Sequence, residues 1–135
     1  LEFRRVLFRS SEHVMVVHGE DGMDEISISS ATQVTELKHK SITTYTIKPT
    51  DFGFNMMDLK TIQVENVDAS KAMMLDVLKG SKGPHRDITA LNAGAAIYVS
   101  GVASSLKEGI EKAQSVIDQG LSFKKLEQLK EVSHG

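Results

Sequence analysis

The spacing of hydrophobic and polar positions changes twice along the chain. His13 to Val17 (HVMVV) is a nearly continuous, valine-rich apolar run, the pattern of a strand buried on both faces of a parallel sheet. It runs straight into HGEDGMDE, where Gly19 and Gly22 permit backbone conformations closed to other residues and acidic side chains crowd a turn. In α/β sheets the loop at a strand's carboxyl end is where ligands bind. From Thr32 to Lys48 apolar or β-branched residues, among them Val34, Leu37, Ile42, Thr44, Thr46 and Ile47, alternate with polar ones. That alternation predicts an antiparallel hairpin or paired ribbon, turning through His39 to Ser41 and ended by Pro49. Asp51, Phe52 and Gly53 read as a turn, and residues 55 to 67 carry no clear signal.

Beyond Asp68, which can cap a helix, the spacing becomes helical: Ala72, Met73, Leu75, Val77 and Leu78 precede the breakers Gly80, Gly83 and Pro84. A second helix is predicted from about Asp87 to Val99, where Leu91, Gly94, Ala95 and Ala96 make a close-packing surface. A third starts at Ser105 with Glu108 in capping-box spacing, carries Leu106, Ile110, Ala113 and Ile117 inward, and stops before Gly120. Ser122 can cap a fourth, with Leu126 and Leu129 inward. The fold class is α/β: one buried strand plus an antiparallel ribbon, followed by about four helices. One such strand and one ribbon cannot make the parallel sheet that Val14 to Val17 calls for, so its partner strands are expected upstream of residue 1. A chain cut off from those strands should expose apolar surface and an unpaired strand edge.

The first ten residues stand apart. LEFRRVLFRS holds all but one of the chain's arginines, has no cap or turn signal, and follows no initiator methionine. It reads as a cloning or sequence-assembly scar, which leaves 11–135 as an α/β domain truncated on its amino-terminal side. With 16 basic and 18 acidic residues the formal charge is −2, which creates no field to attract nucleic acid or an anionic membrane. The absence of cysteine removes disulfides, thiolate nucleophiles and Cys-based zinc sites, and fits a cytoplasmic protein. No apolar run approaches the ~20 residues of a membrane helix.

The densest chemical signal is Asp21, Asp24 and Glu25 in the glycine-containing turn after the first strand. Mg²⁺ takes oxygen ligands, keeps several waters, and is commonly held by one or two carboxylates together with substrate phosphates. Asp24 and Glu25 suit that role, although spacing alone allows equally that these acids are solvated or cap the residues from Ile26 onward. His18, at the strand end, could serve as acid or base, but a single histidine without a partner is more often structural. Ser27, Ser29 and Ser30 lack a Gly-x-Ser-x-Gly elbow. His39, His85 and His134 lack metal-ligand spacing and are expected to be exposed. There is no Walker loop and no Gly-x-Gly-x-x-Gly to cradle a diphosphate.

Three longer strings narrow the field: VVHGEDGMDEIS at 16 to 27, KPTDFGF at 48 to 54, and GPHRDITALNAGAAIYVSGVASSLKEGIEKAQSVIDQG at 83 to 120. In order and spacing they resemble the carboxy-terminal portion of the anthranilate phosphoribosyltransferase family, of nucleoside-phosphorylase-like fold, from about residue 11 to the end. The resemblance implies transfer of the phosphoribosyl group of phosphoribosyl pyrophosphate to the amine of anthranilate, in tryptophan biosynthesis, with Mg²⁺ held by the pair Asp24 and Glu25. His18, Arg86, Asp87 and Asn92 also fall in the family's strings, and are expected to shape loops, pair ions at a turn and make a helix contact. The family's glycine-rich phosphoribosyl pyrophosphate loop, its anthranilate-binding residues and its helical amino-terminal domain, through which the parent would form a homodimer, lie upstream of this segment. The segment by itself is therefore expected to be inactive.

Within the match, LKTIQVENVDASKAM at 59 to 73 departs from the family's glycine-bearing lead into Glu-Asn-Ala, of which Glu65 and Asn66 preserve part. Pyrimidine nucleoside phosphorylase shares the fold but uses phosphate, and the Asp24 and Glu25 pair argues against it. The alternative is a non-enzymatic, nucleic-acid-binding paralogue, which should carry a basic surface, whereas this chain is slightly acidic.

Overall fold

Residues 12–133 are described by the computed structural model of the protein. Strands β1 (His13–Gly19), β2 (Thr32–Lys38) and β3 (Ser41–Ile47) form one antiparallel sheet in the order β1-β2-β3. Val17 pairs with Val34, and Val34 in turn with Tyr45. In this chain the strand is half-buried rather than buried, and the parallel partners expected upstream of residue 1 lie outside the described residues. Among the described residues β1 has one strand neighbour, β2, which runs antiparallel, and Val14 to Val17 are half-buried because the other edge carries no strand. The valines of an antiparallel edge strand and of a parallel interior strand look alike in sequence.

The hairpin is as expected, and its turn is unusual. His39 and Lys40 both have positive φ, 51° and 64°, the type I′ geometry whose twist matches that of the strands. Two short 3₁₀ turns follow, Pro49–Phe52 ending on Gly53 at φ 81°, and Leu59–Ile62 capped by Asp58. The second lies in the stretch without sequence signal.

Four helices complete the chain: α1 (Val67–Leu78), α2 (Pro84–Val99), α3 (Leu106–Asp118) and α4 (Leu121–Ser133). The cap of α1 is Asn66, not Asp68: Asn66 has extended backbone and its side chain accepts the Ala69 N–H at 2.9 Å, while Asp68 lies inside the first turn. Helix α2 starts three residues earlier than expected because Pro84 is well suited to the first helical position. Ser105 caps α3 as predicted, but the Glu108 carboxylate reaches the N–H and hydroxyl of Ser104 rather than closing the box on Ser105. Ser122 sits inside α4 and donates to the Leu78 carbonyl at 3.0 Å, which ties α4 to the end of α1. Leu129 is 63% exposed, against the expectation that it faces inward. Among the described residues no helix is long and apolar enough to cross a membrane.

The core lies where the segment before β2, the inner face of the sheet, and α2 and α3 meet, with Ile26, Ile28, Val34, Leu91 and Ile110 each at most 2% exposed. At the far end of β1 a polar knot joins sheet to helix. The buried Glu36 carboxylate accepts from Tyr45 Oη at 2.7 Å and Tyr98 Oη at 2.8 Å and bonds His13 Nε2 at 2.7 Å. Burial pushes Glu36 up, but these three bonds more than offset it and hold the carboxyl below its ordinary value.

Candidate metal centre

Residues 20 to 31 carry the chain from β1 back to β2, and their shape is set by side chains that accept backbone hydrogens. Gly22, at φ 93°, makes the tight bend, with its N–H donating to the Gly19 carbonyl at 2.9 Å. Asp21 is the hub. Its carboxylate accepts from Ser27 Oγ at 2.5 Å, from Ser29 Oγ, and from the Met23 N–H at 3.3 Å, while its own N–H donates to Ser30 Oγ at 3.2 Å. Burial pushes the Asp21 carboxyl up, yet the hydroxyls of Ser27 and Ser29 and the Met23 amide hold it below its ordinary value. Asp21 thus organises the loop, and the three acids of the sequence motif divide into one structural residue and two whose carboxylates accept no hydrogen bond among the described residues.

Asp24 is exposed and Glu25 half-buried. Burial pushes the Glu25 carboxyl above its ordinary value, and the neighbouring Asp24 charge pushes it the same way. Immediately after the pair, Ile26 is 2% exposed and is held from α2: Asn92 Oδ1 accepts the Ile26 N–H and Asn92 Nδ2 donates to the Ile26 carbonyl, both at 2.9 Å. On the far side the Ser27 N–H donates to Thr32 Oγ1 at 3.0 Å, at the start of β2.

Glu25 also walls a cleft of about 290 Å³ between α1 and the start of α2, lined mostly by apolar side chains such as Ile62, Met73 and Val77. His85 lines it too. The imidazole is half-buried, and its Nε2 is buried without a hydrogen-bond partner among the described residues, which corrects the expectation that His85 is exposed. The physical reason is that the helix begins before His85, which places the ring in the groove against α1 rather than in a free turn. His39 is exposed in the hairpin turn, and His18 is exposed at the end of β1 opposite Gln33. His134 and the segment 1 to 10 lie outside the described residues.

Arg86 is 5% exposed, and its Nε and Nη2 donate to Asp118 at 2.8 to 3.1 Å, joining the first turn of α2 to the end of α3. Asp87 is a weaker partner at 3.5 Å. The ion pairing expected of this string is therefore chiefly between helices rather than within the turn.

The described residues contain no group of three or more His, Asp or Glu side chains arranged to hold a metal ion. Two adjacent carboxylates are what the loop offers. That donor set fits a hard divalent cation shared with phosphate oxygens and does not fit a closed protein cage. Crowded negative charge at Glu25 is what a bound cation would relieve.

Sequence reasoning undervalued Asn92 and His85. A signal for Asn92 was present, because an amide amid the small apolar residues of TALNAGAA needs a buried partner. No local pattern marks His85.

The family model described as glycosyl transferase family, a/b domain, matches residues 4–123, a span that takes in part of the 1 to 10 segment. The anthranilate phosphoribosyltransferase of Methylobacillus flagellatus is 52% identical over 123 residues, which is 91% of this chain and 36% of that relative. The crystal structure of anthranilate phosphoribosyltransferase from Thermus thermophilus superposes with a TM-score of 0.78 at 33% identity, over 86% of this chain and 34% of that one. A variant of the Saccharomyces cerevisiae enzyme with Mg bound gives a TM-score of 0.73 at 26% identity, over 85% of this chain and 34% of the other. The chain spans a little over a third of the length of the curated relatives it matches.

Proposed function

The chain belongs to the glycosyl transferase family, a/b domain, and on that footing we propose that it is the carboxy-terminal part of an anthranilate phosphoribosyltransferase and supplies that enzyme's metal-binding carboxylates, Asp24 and Glu25. The activity is transfer of the phosphoribosyl group of phosphoribosyl pyrophosphate to the amine of anthranilate, in tryptophan biosynthesis. The observation that carries this reading is the pinned loop: two consecutive carboxylates, with Glu25 raised by burial and by the Asp24 charge, in a chain 52% identical to a transferase of that name.

The chemistry needs no covalent nucleophile. Departure of pyrophosphate from the anomeric carbon builds positive charge on the sugar and negative charge on the leaving group, and the chemistry a bound Mg²⁺ would supply is stabilisation of the latter. Asp24 and Glu25 are the residues that would hold the cation. Asp21 and its serines, with Asn92 on the other flank, keep the two carboxylates in place. The described residues contain no glycine-rich diphosphate loop, so cradling phosphoribosyl pyrophosphate and seating anthranilate fall to the parts of the parent that this chain does not span. The segment alone is inactive, and the parent is a cytoplasmic homodimer joined through its amino-terminal domain, with no nucleic-acid partner.

Growth of a tryptophan auxotroph lacking this enzyme tests the reading. The full-length parent gene should restore growth. The same gene carrying Asp24→Ala and Glu25→Ala, and the present chain alone, should not. Full growth on the doubly substituted gene would overturn the assignment of the pair, and failure of the intact gene would overturn the assigned activity.

A further inference from the structure

Asp24 and Glu25 lie in a stretch without regular secondary structure, and adjacent residues of an extended chain point to opposite sides. Two neighbouring carboxylates can serve one cation only if the backbone around them is held in a particular turn. The peptide unit that follows Glu25 is gripped from a distant element. Asn92, midway along α2, accepts the Ile26 N–H with Oδ1 at 2.9 Å, and its Nδ2 donates to the Ile26 carbonyl at 2.9 Å and to the Ile88 carbonyl at 3.1 Å. The side-chain amide gives Ile26 the donor and acceptor that a neighbouring strand would give. Ile26 is 2% exposed, so losing those bonds leaves polar backbone groups of a buried residue without partners.

We propose that Asn92 is the positioning residue of the metal pair: by fixing both backbone polar groups of Ile26 it fixes the chain direction at Glu25, and with it where the Glu25 carboxylate lies relative to that of Asp24. The inference rests on the reading of that pair as metal carboxylates. Only an amide of this length offers both functions: aspartate loses both donated bonds, and alanine or serine cannot span the gap. Outer partners that orient metal ligands commonly change metal affinity by about 10- to 100-fold when removed.

The test uses the full chain, ¹⁵N-labelled, with Mn²⁺ alone as the probe, read as paramagnetic broadening of backbone amide resonances. In the unsubstituted chain the broadening should be saturable and centred on residues 23 to 26, and Asp24→Ala with Glu25→Ala should abolish it. Asn92→Ala and Asn92→Ser should weaken Mn²⁺ binding about tenfold or more while the β2 and β3 resonances stay in place. Unaltered affinity in both Asn92 variants, with the pair still required, would overturn the positioning role and leave the metal assignment standing. Broadening indifferent to the pair would overturn the metal assignment, and the inference with it. Hydrogen exchange in the unsubstituted chain needs no variant: the Ile26 amide should be strongly protected, and exchange as fast as that of the exposed Asp24 amide would overturn the clamp.

Discussion

Gly94 and Gly109 bring α2 and α3 into backbone contact. A β-carbon on Gly109 would lie 2.3 Å from the Gly94 carbonyl oxygen, and one on Gly94 would lie 2.5 Å from the Ile110 Cα. Because backbone atoms cannot rotate aside, Gly94→Ala or Gly109→Ala should push the helices apart and cost about 3 kcal/mol, outweighing the ~1 kcal/mol that alanine gains in a helix. Chemical denaturation of each variant checks this. A neutral or stabilising result would mean that the helices are not so closely seated.

The hairpin turn holds two non-glycine residues in the left-handed region, His39 and Lys40. Replacing them with Asn-Gly, the pair best suited to a type I′ turn, should stabilise the chain by about 1 kcal/mol. A higher thermal midpoint is the expected result.

Among the described residues the buried Nε2 of His85, in the first turn of α2, has no hydrogen-bond partner. His85→Leu should therefore raise stability by about 1 kcal/mol. Thermal unfolding at pH 7 is the measurement, and a loss of stability would mean that the ring nitrogen is satisfied.

Glu36 sets a pH dependence whose sign is fixed. Its carboxyl is held below the ordinary value of 4.5 in the folded chain, so the unfolded chain binds the proton more readily. The stabilisation is complete above that value and is lost as the pH falls through the lower, folded value. The stability gap between the native chain and Glu36→Gln should be largest near neutral pH and shrink below about pH 4.5. Urea unfolding across that range tests it, and a gap independent of pH would contradict it.

The parts of this fold that sequence reveals are those with strong periodicity. The period of two from Thr32 to Ile47 yields the hairpin, and the Ser105 cap with its inward Leu106, Ile110 and Ala113 yields α3. Sequence misleads where different environments share one pattern. The valines of β1 suit an interior strand as well as an antiparallel edge, and Leu129 keeps helical spacing on a helix with no buried residue. Asn66 and Asp68 are both competent caps, and only the backbone at Asn66 decides between them. At the site the acidic turn was legible, but its division of labour was not. Asp21 is claimed by hydroxyls six to nine residues away, and Ile26 by an amide 66 residues away. Such long-range pairings leave no trace in local spacing.

The most direct measurement is made on a chimera in which residues 12–133 replace the matching segment of the Methylobacillus flagellatus enzyme, assayed for phosphoribosylation of anthranilate as Mg²⁺ is varied. A metal role for the pair requires Mg²⁺-dependent turnover that falls by about a hundredfold or more when Asp24 and Glu25 are both changed to alanine. Turnover that survives the double substitution with its Mg²⁺ dependence unchanged would contradict it.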